Sequence, residues 1–210
     1  TKLGGLSRVT GMTFDGGLGP RDGYNPGMLV ISGLSQSWRV DHVRFVVTRT
    51  LAVYVGGFTY GVIAHNIFDH SAGAGNGITI FHGSWNNGVF GDQSFADDLY
   101  LGTEKAVYME DNTFIGPTDA NVIKFVHDSY QGGRGVFRHN TVTNMIYANH
   151  GSDSGGRLRG ARSYEIYDNT MNRIGGVQYP GVFNTRSGNG VIYINTVTGN
   201  FQPIGTHSNY

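Results

Sequence analysis

One short pattern recurs five times along this chain, and it limits the possible folds more than any other feature of the sequence. In each copy, a strand-like run of residues ends in an asparagine that is followed by a second short run. The asparagines of the five copies are Asn66, Asn112, Asn140, Asn169 and Asn195. They are separated by 46, 28, 29 and 26 residues, a recurrence on the scale of repeats that stack on one another. The pattern therefore predicts a solenoid and not a sandwich of two sheets.

The alternation within each copy predicts which side chains form the core. Successive residues of a strand point to opposite faces of a sheet, so we expect an inward row three residues before the asparagines. That row is Ile63, Met109, Phe137, Ile166 and Ile192. The asparagine turns inward at a bend, where its amide can bond backbone groups and the asparagine of the next coil. We predict an all-β fold, a single-stranded right-handed parallel β-helix of about seven coils with an asparagine ladder, in which residues 1–210 form one domain.

Composition narrows the expected partners. The 34 glycines, with 39% apolar and 14% charged residues, are typical of many short strands joined by tight turns. The charges of the 15 basic and 15 acidic side chains cancel, and the absence of a net positive charge argues against nucleic acid as a partner. The chain has no cysteine, and it has no apolar run near the roughly 18 residues of a membrane helix. We therefore expect neither a thiolate metal site nor a membrane span.

Two windows of the sequence carry a resemblance to a known family. Trp38–His42 reads Trp-Arg-Val-Asp-His, and the stretch through Phe68 continues as a pair of strands. Residues 157–162 contain three arginines and precede the Glu165–Asn169 run. These windows resemble the Trp-Ile-Asp-His run and the arginine-bearing stretch of the pectate-lyase-like superfamily of right-handed parallel β-helices. The resemblance implies a secreted or cell-surface protein that binds or degrades a polysaccharide.

The sequence departs from the calcium-dependent lyases of that superfamily at their metal site. In those enzymes acidic residues cluster on the strand after the Trp-Asp-His run, and the corresponding residues 49–55 contain no carboxylate. Calcium needs several oxygen ligands, so we expect no metal and no cofactor. Asp97 and Asp98 alone also do not reproduce the neighbouring aspartates of the polygalacturonase-like hydrolases.

The first spacing between asparagines is long and indicates an insertion. The interval from Asn66 to Asn112 is 46 residues against 28 for the next one, and we assign the excess to a loop at residues 85–105. Long loops in compact domains often form a functional wall or a covering flap. The alternative is a loop whose own aromatic residues pack over an otherwise exposed face.

A second ladder is predicted when the coils are aligned on their other strand. The alignment forms one column of His82, His127, His150, Thr185 and Thr206, with a column of serines two residues later. Coils stack about 4.8 Å apart, so three imidazoles would lie one above another. Three interpretations of these histidines stay open. They could be neutral imidazoles with their hydrogen bonds satisfied at strand ends, a general base, or a transition-metal site. The parallel direction of stacked side chains argues against the metal.

Outward-facing residues on the asparagine-bearing strands indicate a carbohydrate surface. Tyrosines interspersed with charges suit a sugar chain, whose rings stack on aromatic faces. Ala64 and Val136 belong to the same outward columns, and Glu110 and Arg138 could instead form a cross-coil ion pair of small net value. The predicted substrate-binding residues are Trp85, Tyr108, Glu110, Tyr130, Tyr167 and Tyr193.

A lyase acting on an acidic polysaccharide would need a base to take a proton and a cation to stabilise the developing charge. The candidate catalytic residues are Lys124, Arg138, His127, His150, Glu165 and Arg162. Lys124 stands out because it is the one lysine that falls on a predicted core strand. We expect it to be exposed there, together with Asp128, Tyr147 and Asn149.

Two functions from different classes remain. The first is an extracellular protein that binds or degrades a polysaccharide without calcium. The second is a structural surface or filament protein without catalytic activity, which assembles as a homo-oligomer or end to end. The second hypothesis follows from both ends of the sequence, which read as uncapped coils, because open solenoid ends expose unpaired backbone.

Overall fold

The computed structural model of the protein describes residues 6–17, 27–46, 51–73, 75–82, 98–118, 124–152, 159–175, 181–202 and 205–206. Within these residues the chain forms 21 strands and no helix. The strands belong to three sheets of seven strands each, and every strand pairs in parallel with its equivalent in each neighbouring coil of the sheet. This arrangement confirms the predicted parallel β-helix of seven coils. No helix of the described chain is long and apolar enough to cross a membrane.

The first sheet, sheet A, carries the residues that precede the recurring asparagine. Its strands are β1 (Ser7–Thr10), β4 (Trp38–Asp41), β7 (Gly61–Ala64), β10 (Val107–Glu110), β13 (Arg134–Arg138), β16 (Ser163–Tyr167) and β19 (Asn189–Tyr193). Ile63, Met109, Phe137 and Ile166 pair in one row across neighbouring strands and are fully buried. Ile192 continues the row and is partly buried. The predicted inward row is thus confirmed.

The second sheet, sheet B, follows the asparagine and fills the core with aromatic rings. Its strands are β2 (Thr13–Asp15), β5 (Arg44–Val46), β8 (Ile67–Asp69), β11 (Thr113–Ile115), β14 (Thr141–Thr143), β17 (Thr170–Arg173) and β20 (Thr196–Gly199). Phe14, Phe45, Phe68 and Phe114 stack in successive coils, with ring centroids 5.4, 4.9 and 4.6 Å apart. Stacking of this kind stabilises the core beyond what the buried area of each ring contributes.

The corner between sheets A and B is two residues long, and its first residue has a left-handed backbone. Where that first residue is not glycine, its φ lies between 51° and 56°, and these residues are His42, His65, Asp111, His139, Asp168 and Ile194. In the coils that carry the recurring asparagine, this residue immediately precedes it. Asparagine, aspartate and histidine are the non-glycine residues that adopt this conformation most readily, so the sequence suits the bend in every coil except the one with Ile194.

The predicted asparagine ladder is present at this corner. The Asn140 amide nitrogen donates to the Met109 carbonyl at 2.9 Å and to Asn169 Oδ1 at 3.0 Å. Asn140 Oδ1 in turn accepts from the backbone N–H of Asn112 at 2.9 Å. The same contacts recur from Asn66 to Asn195. Each amide therefore satisfies backbone groups that a buried bend would otherwise leave without partners.

The third sheet, sheet C, does not have the register that the sequence predicted. Its strands are β3 (Leu29–Gly33), β6 (Val53–Gly57), β9 (Ile78–Phe81), β12 (Phe125–Tyr130), β15 (Ile146–Asn149), β18 (Phe183–Thr185) and β21 (Gly205–Thr206). His127 pairs with Ile78 on one side and Tyr147 on the other, and the pairing of β12 with β15 shifts between Phe125 and His127. Within the described residues, the predicted column of three histidines and the serine column beside it are therefore wrong, and Ser84 and Ser208 of that column lie outside the described residues. Of the described members of both columns, Thr185 and Thr206 pair as expected.

Candidate functional site

A cleft of about 530 Å³ lies on the outer face of sheet A. It forms because β7 contributes only Gly61 and Val62 between neighbouring strands that carry large side chains. The Trp38 indole occupies the place where a Cβ on Gly61 would lie, with ring atoms 2.3 and 2.5 Å from that position. The cleft is lined by Leu6, Gln36, Ser37, Trp38, Arg39, Gly61, Val62, Gly102, Thr103, Glu104, Tyr108, Glu110 and Arg138.

Arg138 is the centre of a polar network along one wall of the cleft. Its Nε and Nη2 donate to Glu110 Oε2 at 2.8 and 2.5 Å, and its Nη1 donates to the Tyr167 hydroxyl at 2.8 Å. Burial opposes its ionisation, but the hydrogen bonds to Tyr167 and Glu110 outweigh this effect and raise the pKa of the guanidinium. The guanidinium carbon also lies 5.0 Å from the Tyr108 ring centroid. The predicted Glu110–Arg138 ion pair is therefore present and holds the two tyrosines in place.

Tyr167 and Tyr193 extend this surface along the solenoid axis. They occupy equivalent positions on β16 and β19, and their rings stack with centroids 4.8 Å apart and planes 13° from parallel. Tyr193 is 45% exposed. The pair presents an accessible aromatic face next to the charged network.

Arg39, which lines the cleft, belongs to a charged cluster that the sequence analysis did not identify as functional. Asp41 has no exposed side-chain area and pairs with Arg8 Nε at 2.9 Å and with Arg39 Nε at 2.6 Å. The hydrogen bond from Arg8 is the main reason that the pKa of Asp41 lies well below its usual range, and Thr10 and His42 contribute to the lowering. Arg39 and Asp41 belong to the Trp-Arg-Val-Asp-His run, so the signal was in the sequence. Arg8 becomes their neighbour only through the pairing of β1 with β4.

Residues 98–105, the described end of the inserted loop, cover part of the outer face of sheet A. Residues 83–97, which include Trp85, lie outside the described residues. The loop is attached where Glu165 Oε1 accepts from the Gly102 N–H at 2.8 Å and where the Tyr108 hydroxyl donates to the Thr103 carbonyl at 2.6 Å. Burial is the main reason that the pKa of Tyr108 is raised. Glu165, predicted as catalytic, therefore helps to hold the loop.

Two residues predicted to face solvent on sheet A are buried. Val136 is 1% exposed and Ala64 is 0% exposed. Val136 lies between Tyr108 and Glu165, both of which hold the loop. Ala64 lies between the longer side chains of Asp41 and Glu110. The alternation gave the correct face of the sheet, but larger neighbours cover these two positions.

Lys124 does not lie beside Arg138. It precedes β12, at the start of a sheet C strand, whereas Arg138 ends β13 of sheet A. The lysine is 5% exposed, which corrects the prediction of an exposed strand residue, and burial lowers its pKa. Asp128, Tyr147 and Asn149 were also expected to be exposed, and they are 6%, 0% and 0% exposed. The shifted register at the start of β12 moves these side chains away from the positions that alternation predicted.

The remaining predicted residues lie on other sides of the molecule. His127 is fully buried, its Nδ1 lies 3.0 Å from the Ala148 carbonyl oxygen, and burial lowers its pKa to about 4. His150 Nδ1 lies 2.5 Å from Asp128 Oδ1 near sheet C. Tyr130 packs edge-on against Phe81 of sheet C, with ring centroids 5.3 Å apart. Arg162 is half-buried just before β16, where its backbone N–H donates to the Gly133 carbonyl.

Comparisons of the chain with protein-family models, with curated proteins and with solved structures find no match. The parallel β-helix is therefore established by the strand pairing itself. Membership of the pectate-lyase-like superfamily stays a prediction.

Proposed function

We propose that the protein binds a polysaccharide chain along the outer face of sheet A. The observation that carries this proposal is the stacked Tyr167–Tyr193 pair with its exposed Tyr193 ring, which lies in line with the cleft and with the Glu110–Arg138 network. Sugar-binding sites combine aromatic faces with a few fixed polar groups that orient the ligand. From β4 to β19 the strands span five intervals of about 4.8 Å each, or roughly 24 Å. A surface of this length suits several sugar rings of an extended chain.

The arrangement favours binding over degradation. The lyase hypothesis paired Lys124 with Arg138, Arg159 or Arg162, and of these Arg138 lies on sheet A whereas Lys124 precedes a strand of sheet C. Glu110 and Glu165 are both held in hydrogen bonds, to Arg138 and to the Gly102 N–H. A rigid network of this kind orients a bound chain, which is the role that polar groups in a binding cleft perform.

The first prediction concerns the two stacked tyrosines. Binding to the best ligand of a panel of soluble neutral and acidic polysaccharides is measured by isothermal titration calorimetry. Tyr193→Ala and Tyr167→Ala should each weaken binding roughly three- to tenfold, because an aromatic contact contributes about 0.5–1.5 kcal/mol beyond its buried area. Tyr130→Ala, on sheet C, is the matched control and should leave the affinity unchanged. Equal losses in all three variants, or a loss confined to Tyr130→Ala, would contradict the proposed surface.

Two other functions stay predictions of the sequence. Release of unsaturated, ultraviolet-absorbing products from the same panel would show that the protein is a lyase. Light scattering at increasing protein concentration distinguishes a self-assembling structural protein from a binding protein that remains monomeric.

A further inference from the structure

A second hollow, of about 490 Å³, lies at the corner between sheets A and B and is separate from the polysaccharide surface. His42 and His65 lie on adjacent coils beside it, and their ring centroids are 5.5 Å apart. The hollow is open above His42 because the equivalent corner of the preceding coil is Gly11, where an added Cβ would meet no atom within 4 Å. Two exposed imidazoles therefore face an open space.

Asp41 fixes the orientation of the His42 ring. Its Oδ1 lies 3.1 Å from His42 Nδ1. The carboxylate is ionised beside Arg8 and Arg39, so it can only accept a hydrogen bond. His42 Nδ1 must then carry the proton, which leaves the lone pair on Nε2, and the His42 side chain is 64% exposed. A carboxylate that accepts from one ring nitrogen of a histidine is the usual partner behind a metal-binding imidazole.

The spacing of the two rings fits a shared metal ion. Imidazole nitrogens lie about 2.0–2.1 Å from zinc, so two imidazoles on one ion have ring centres roughly 4.5–5.5 Å apart. Both side chains are exposed at their corner positions, so small rotations can bring the two nitrogens together. Borderline divalent metals such as zinc, nickel and copper prefer imidazole ligands.

The charges around the hollow do not oppose a cation strongly. Arg44, which lines it, pairs with Asp69 Oδ2 at 2.6 Å. Asp111, at the corner of the coil after His65, adds a carboxylate in the same column. Among the described residues no set of three or more histidine, aspartate or glutamate side chains is arranged around one point for a metal ion. The pair would therefore supply two ligands, and water would complete the coordination.

From this geometry we infer that His42 and His65 form a binding site for a divalent transition metal that bridges the second and third coils. Metal ions bind the neutral imidazole, so the affinity falls as the pH falls. Because the bridge exists only in the folded chain, bound metal also stabilises the coil stack.

The test is a zinc titration of the intact protein, followed by calorimetry and by the thermal unfolding midpoint. His42→Asn and His65→Asn keep a residue that tolerates the left-handed corner and remove one ligand each. Each should lower the affinity of the tightest zinc site at least about tenfold. Removing even an outer-shell partner of a metal ligand lowers the affinity by about that factor, and these variants remove a ligand itself. Each should also abolish the rise in unfolding midpoint that zinc gives the unaltered protein.

His139→Asn is the matched control, because His139 occupies the same kind of corner but its Nδ1 lies 2.9 Å from Asp168 Oδ2 and its column neighbours are aspartates. It should leave the tightest site unchanged. The inference is overturned if either His42→Asn or His65→Asn binds zinc as tightly as the unaltered protein. It is also overturned if His139→Asn causes the same loss, or if zinc binds equally well at pH 5.0 and pH 7.5.

Discussion

The corner between sheets A and B shows how strongly one backbone conformation can restrict a residue. Five of the six described non-glycine residues at its left-handed first position are histidine or aspartate, which tolerate a positive φ, and the sixth is Ile194. A β-branched residue with a positive φ is strained. Ile194 is also 75% exposed, so no buried contact offsets this cost.

Replacing Ile194 should therefore stabilise the protein. Ile194→Asn removes the strain of an isoleucine at φ 51° and should raise the free energy of unfolding by about 1 kcal/mol. Urea unfolding followed by circular dichroism measures the change. Val191→Asn, at an exposed position of the preceding strand β19, is the control and should give no gain. A fall in stability for Ile194→Asn would show that the side chain has a contact worth more than the strain.

At the scale of an element, the asparagine ladder holds sheets A and B at a fixed angle and in register. Each rung accepts from and donates to the backbone of the preceding coil, and it donates to the asparagine side chain of the following coil. The ladder is buried from Asn66 to Asn169, whereas Asn195 is half-exposed. Buried polar groups lose more than exposed ones when their partners are removed, so the cost of a substitution should depend on the position of the rung.

Asn140→Ala should be among the most damaging small substitutions in the chain. It deprives the Met109 carbonyl, the Asn112 backbone N–H and the Asn112 side-chain amide of a partner in a buried site. The expected loss is about 2–5 kcal/mol, because each orphaned buried group costs about 1–3 kcal/mol. The same urea titration provides the measurement, with Asn195→Ala as the half-exposed comparison that should lose less. Equal losses at both rungs would mean that burial does not determine the strength of the ladder.

At the scale of the whole molecule, the core contains three histidines that burial keeps neutral. His70, His82 and His127 are fully buried, and burial is the main cause that lowers their pKa values to about 4, 3 and 4. Imidazoles in an unfolded chain titrate near 6.5. The unfolded state therefore binds more protons than the folded state between these values, and stability is lost as the pH falls below about 6.5.

This linkage predicts acid sensitivity in a defined window. Between pH 7.5 and pH 5.5 each buried histidine should cost about 1.4 kcal/mol, and the three together roughly 4 kcal/mol. Thermal unfolding at a series of pH values tests this expectation. His127→Gln keeps an amide that can donate to the Ala148 carbonyl and does not titrate, so its pH-dependent loss should be about one third smaller. A protein equally stable at both pH values would contradict the buried neutral imidazoles.

The sequence alone determined the coil, the corner and the register of sheet A in the coils that carry the recurring asparagine. The recurring asparagine has a fixed offset from the inward residues on both sides, so aligning the asparagines also aligns Ile63, Met109 and Phe137. The tyrosines and charges on the opposite face of that sheet follow from the same alignment. This is why Tyr108, Glu110, Arg138 and Tyr167 were predicted together and lie together.

Only the tertiary structure decided sheet C and the sites that depend on contacts between coils. The number of residues between the corner asparagine and the paired row of sheet C differs from coil to coil. The three intervals are those between Asn66 and Ile78, between Asn112 and His127, and between Asn140 and Tyr147. No recurring residue marks the register there, and one shift of register reverses the face of every side chain that follows. The burial of Lys124, the approach of Arg8 to Asp41 and the pairing of His42 with His65 all result from how coils stack. A local pattern in the sequence does not contain that information, because the residues that make these contacts lie one or more coils apart in the chain.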